Sequence, residues 1–276
     1  MKRYGYLALV LLLGCGDSDP AEKKDPATKQ EKKVFKLDIN NINPSNVKEI
    51  ALVPSPAEMQ KALNRAGLQS KLGDLALSEK SISMNTDNKD QLAIRCGVVL
   101  AELVLTVKTA PKPKMLAHLE SLKQGFTKLG AGEKFLKTID TMTSNIKTDA
   151  KSRDDLLRDM DQLAGIMVPE LEKELGKWVV PLVQAGSWLK GANLVAGAIN
   201  EEQKYDSATR LLKQPQVVDY FLKYVQREGT KKAPDEIVQK LEFTLLNLKK
   251  IASKETLSQA DVKAIQSDTT EVLLLL

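Results

Sequence analysis

The longest stretch of low polarity in the chain runs from Lys177 to Asn200, where Lys177 and Lys190 are the only charged residues. Trp178, Leu182, Ala185, Leu189, Ala192, Ala196 and Ile199 recur at three-and-four spacing, which predicts a helix. Almost no polar face remains, so this helix is expected to be buried on every side. A second buried helix is predicted over 87–108, with Arg95 and Glu102 as its only charges between Leu92 and Val107. One-sided apolar stripes predict the remaining elements. Ser55, Pro56 and Glu58 form a capping signal ahead of Met59, Ala62, Leu63 and Ala66, and Gly67 closes that helix. Leu116, Leu119, Leu122 and Phe126 mark a helix ending at Gly130, and Phe135, Ile139 and Met142 mark the next. Ser152 caps a stripe through Leu156, Met160, Leu163 and Met167, which Pro169 is expected to kink or end. Three more helices are predicted over 215–226, 234–251 and 258–274. Segments 34–39 and 50–53 read as short extended runs and do not amount to a sheet. The pattern predicts an all-α fold, a single multi-helix domain of roughly nine helices over 34–276, built around two buried helices.

The first residues follow a different logic. Lys2 and Arg3 precede the apolar run Leu7 to Leu13, and Gly14-Cys15 follows directly. The run is too short for a stable membrane span and reads as a signal peptide over 1–14. Leu12-Leu13-Gly14-Cys15 resembles the bacterial lipobox, which makes Cys15 the expected lipidated residue. Acyl chains contribute about 0.8 kcal/mol per buried methylene, so the membrane is an expected partner through Cys15. By resemblance to enterobacterial sorting, Gly16 in place of Asp after that Cys favours the outer membrane over the inner one, with the domain facing the periplasm. From Cys15 to Lys33 nothing aliphatic larger than Ala occurs. Such a segment cannot bury enough surface to order itself, and it reads as a tether of about 25 Å reach.

Charge and chemistry narrow the function by exclusion. The formal charge is +5; removing Lys2 and Arg3 leaves near balance. Basic and acidic residues are interspersed instead of blocked, so nucleic acid is not an expected partner. With Cys15 lipidated, Cys96 is the only other thiol, and no intramolecular disulfide can form. No metal-ligand spacing, phosphate loop or dinucleotide fingerprint occurs, so neither metal nor cofactor is expected. His118, the only His, is read as lying off the Leu116-Leu119-Leu122 stripe and solvated. Asp154, Asp155, Asp159 and Asp161 interleave with Arg153 and Arg158, as on a solvated helix face. The small residues Gly186, Gly191 and Gly197 point to close helix packing. What stands out is charge inside apolar helices: Glu102 in one and Lys190 in the other. A buried charge needs a partner or water. Glu102 and Lys190 are therefore expected to approach each other or to line one cavity, with Trp188 and Asn193 nearby, and these four are the candidate ligand-binding residues.

Three segments, 53–58 with Ala66-Gly67, 97–103 and 185–191, resemble in order and spacing a family of uncharacterised lipid-anchored or secreted helical proteins of Gram-negative bacteria. The resemblance covers roughly 54–199 and implies fold and location. Where Glu102 stands that family usually carries Asp, and where Lys190 stands it carries an acid, so no role for Lys190 follows from it. The expected function is a non-enzymatic envelope lipoprotein whose domain binds a partner protein or a small ligand. The alternatives are a carrier of a hydrophobic ligand or lipid, and an enzyme of unrecognised type using the Glu102 region.

Overall fold

A computed structural model describes residues 53–68, 72–78 and 82–276, with the backbone alone at 77–78 and 162–169. The segments read as signal peptide, lipidated Cys15, tether and early extended runs lie outside these residues, except Val53, which is a bend. All regular structure described is helical: α1 (Pro56–Ala66), α2 (Leu72–Ser78), α3 (Lys89–Thr106), α4 (Lys112–Leu129), α5 (Glu133–Lys147), α6 (Arg153–Leu175), α7 (Val179–Glu202), α8 (Ala208–Leu212), α9 (Pro215–Lys232), α10 (Asp235–Ala252) and α11 (Gln259–Leu273). A 3-10 turn, Tyr205–Ser207, precedes α8. The expected nine helices are thus eleven and a turn among the described residues. The two extra ones, α2 and α8, are of seven and five residues, too short to display a helical period. Both pack against α7, which supplies the order their own sequences lack.

Helix starts follow local chemistry. Ser55 with Glu58, Ser152 with Asp155 and Ser258 with Asp261 form reciprocal capping boxes that satisfy first-turn amides. Asn88 caps α3 through its side-chain oxygen, and left-handed Gly67 and Gly130 close α1 and α4. Pro169 does not end α6, which continues to Leu175. Leu171, beyond the proline, is buried in the core and anchors the following turn. Pro181 falls within the first turn of α7, where its missing amide hydrogen costs no helical bond.

Two apolar clusters meet on a shared spine. One joins α3 to α4, α5 and α6, and the other joins α7 to α1, α2, α8, α9, α10 and α11. Helices α3 and α7 belong to both, through Val179 to Val183 on one side and Trp188 to Ile199 on the other. Small residues let the two backbones touch. A Cβ placed on Gly97 would stand 2.0 Å from the Val183 carbonyl oxygen, and one on Gly186 would stand 2.0 Å from that of Ile94. The hydroxyl of Ser187 donates to the Gly97 carbonyl at 2.9 Å across the same crossing. The described helices include none long and apolar enough to cross a membrane.

Candidate functional site

The charges of the two central helices meet. Lys190 Nζ on α7 lies 3.0 Å from Glu102 Oε1 on α3, and His118 Nδ1 on α4 stands 3.5 Å from Glu102 Oε2. All three side chains are at most 5% exposed. Burial pushes the Glu102 carboxyl up to about 7, against a weaker opposing pull from the Lys114 ammonium. The same burial lowers Lys190 to about 8, and burial with repulsion from Lys114 lowers His118 to about 4. His118 Nε2 has no hydrogen-bond partner among the described residues. The expected approach of Glu102 and Lys190 is therefore present. The solvated reading of His118 is corrected: it is the third member of the cluster. Met115, His118 and Leu122 share one face at three-and-four spacing, and Met115 and Leu122 are core residues, so the signal for burial was there.

Trp188 and Asn193 do not join this cluster. The Trp188 indole donates to Gln214 Oε1 at 2.7 Å and its ring packs against Phe221. The Asn193 amide donates to the hydroxyls of Thr269 and Thr270 on α11. Two residues along an α-helix turn the side chain by about 200°, so Trp188 leaves on the side away from Lys190. Arg95 is likewise elsewhere, donating to the carbonyls of Leu276 and Ser83.

Packing and surface pairing account for the other candidate groups. Burial raises the Cys96 thiol to about 12, which keeps it protonated and inert within the core. Asp154, Asp155, Asp159 and Asp161 pair with Lys108, Arg158, Lys151 and Lys61 along the surface of α6. Such exposed pairs contribute about 0–1 kcal/mol each and explain the acidic run as a solvated face.

A separate opening lies elsewhere. Helices α3, α7, α9, α10 and α11 line an open groove of about 390 Å³. Its floor is aliphatic and aromatic: Leu182, Ala185 and Leu189 of α7, Phe221 of α9, and Leu241 and Leu245 of α10. Trp188 is the one candidate from the four that lines it. Glu102, His118 and Lys190 do not, so the charge cluster and the groove are separate features. The groove left no mark in the local sequence, because its walls come from helices far apart in the chain. The nearest hint was Trp188, a large amphipathic side chain among small ones.

No family model, curated protein or solved structure matches the chain.

Proposed function

We propose that this protein is a non-enzymatic envelope lipoprotein, anchored through Cys15 and facing the periplasm, whose helical domain holds the apolar tail of an amphiphile in the groove between α7 and α9–α11. The observation that carries the reading is the groove itself: about 390 Å³ walled by apolar side chains. That volume falls within the roughly 300–1,000 Å³ usual for ligand sites, near its lower end, which suits one chain better than two. The apolar floor stabilises a hydrocarbon tail through burial at about 25 cal/mol per Å², while the polar side chains of the lining gather at one flank. The buried cluster of Glu102, His118 and Lys190 lines none of it and stands as a structural feature of the α3–α4–α7 packing. A lipid-tethered domain with such a groove works beside the pool of molecules it would bind.

The test uses the two tryptophans. Trp178→Phe leaves Trp188, at the groove wall, as the only indole. The methyl ester of a doxyl-labelled stearic acid should quench it saturably in the full-length protein. Ala185→Leu, which adds bulk to the floor, should weaken that binding by at least about tenfold, equivalent to about 1.4 kcal/mol. Quenching that does not saturate, or that Ala185→Leu leaves unchanged, refutes the groove as the site. The anchor is tested separately: labelled palmitate should be incorporated into the protein in a Gram-negative host, and Cys15→Ser should lose both the label and membrane fractionation. Undiminished labelling of the variant would refute the assignment of Cys15.

A further inference from the structure

The groove is apolar but its polar residues are not scattered. Asn88, Asp90 and Gln91 come from the start of α3 and Lys232 from the end of α9. Lys232 Nζ lies 3.0 Å from Asp90 Oδ2, bringing these residues together at one flank. The Trp178 ring flanks the same ammonium, 5.9 Å from its centroid. The amides nearby are already committed. Gln91 donates to the Leu276 carbonyl and accepts from Thr86, and the Asn88 side-chain oxygen accepts from the Gln91 amide. The charged side chains that line the groove are one carboxylate, Asp90, and one ammonium, Lys232, each about one-quarter exposed.

We propose that Asp90 and Lys232 form a charge-balanced collar that selects a single-tailed amphiphile with a zwitterionic head. This rests on the groove being the tail site. A head bearing only a negative charge would meet Lys232 favourably and Asp90 unfavourably at the same place, and a purely cationic head would meet the reverse. Like charges brought close at a partly desolvated site cost affinity, so either single sign is selected against. A head carrying an anionic phosphate and a cationic amine satisfies both groups, with phosphate on Lys232 and amine on Asp90. Opening the Asp90–Lys232 pair to admit the head exchanges each group's counter-charge for one on the ligand, so neither charge loses its partner.

Three amphiphiles with one tail separate the charge effect from the tail effect: hexadecylphosphocholine, hexadecanoate and hexadecyltrimethylammonium. Each competes below its micellar concentration against the neutral doxyl ester on the full-length Trp178→Phe protein, whose substitution is paired with Trp178-containing controls read by native mass spectrometry. The zwitterion should displace the probe at least about tenfold more strongly than either charged analogue. Asp90→Asn should move the preference to hexadecanoate, and Lys232→Met should move it to the trimethylammonium analogue. Equal displacement by all three heads, or an order that neither variant changes, overturns the collar while leaving the groove intact. If the neutral ester itself fails to bind saturably, the groove reading fails first, and the two failures are told apart.

Discussion

Lys190→Ala should destabilise the fold by about 2–5 kcal/mol, the cost of a cavity left by a truncated buried side chain together with loss of one member of a buried pair. Lys190 is 2% exposed and its ammonium stands 3.0 Å from Glu102, so truncating it empties space between α3, α4 and α7 and removes the cation facing the buried carboxyl. Replacing both residues by apolar ones of similar size, Glu102→Leu with Lys190→Met, should restore most of that loss or exceed wild-type stability. The pair recovers less in Coulomb attraction than desolvation costs, which is why burial holds Glu102 above its ordinary range and Lys190 below its own. Urea unfolding midpoints measure both variants. A Lys190→Ala protein as stable as wild type would contradict the cluster, as would a double variant no better than the single one.

The same cluster makes a signed prediction about acid. Glu102 rises from 4.5 to about 7 on folding, so the native form binds more protons between these values and its contribution favours folding at low pH, fading as pH rises to 7. His118 falls from 6.5 to about 4, so its contribution is present above 6.5 and is lost as pH drops towards 4. The two slopes oppose each other over 4.5–6.5 and largely cancel in the wild type. In His118→Phe only the Glu102 slope survives, and stability relative to wild type should increase as pH is lowered from 7 to 4.5. A relative decrease over that range would show that His118 is charged in the native state.

Gly97→Ala and Gly186→Ala should each cost more than about 3 kcal/mol, above the usual range of roughly 1–3 kcal/mol for overpacking a core. In each case the new methyl stands 2.0 Å from a backbone carbonyl oxygen of the facing helix. Carbonyls of a packed helix cannot rotate away, so α3 and α7 must separate along their whole crossing and release the Ser187 hydrogen bond to Gly97. Gly191→Ala is the contrast. Its methyl would meet Met59 Sδ at 2.4 Å, the end of a flexible side chain that can change rotamer. The loss there should stay near 1 kcal/mol. Equal effects at Gly186 and Gly191, read from urea midpoints, would mean that the central crossing is looser than 2.0 Å implies.

How much of this was legible depends on the range of the physics involved. Helix starts such as Ser55 with Glu58 and Ser152 with Asp155 were readable because a capping box closes within four residues. The central pair α3 and α7 was readable because a helix with almost no polar face has to be surrounded, and the two charges it carried pointed to each other. His118 was misplaced because it was judged against one chosen stripe, although Met115 and Leu122 placed it equally well on the core face. The helices α2 and α8 were invisible because seven and five residues carry no period, and contact with α7 gives them their order.

The sequence by itself determined the all-helical class, the order of the long helices and the two charges that had to be neutralised inside them, since propensity, capping and burial act over a few residues. Only the tertiary structure decided that Glu102 faces both Lys190 and His118, that Trp188 and Asn193 turn away to α9 and α11, and that five helices leave an apolar groove with Asp90 and Lys232 at its flank. Those outcomes depend on crossing geometry, which is set where Gly97 and Gly186 bring two backbones into contact and is not encoded in the spacing of either helix alone.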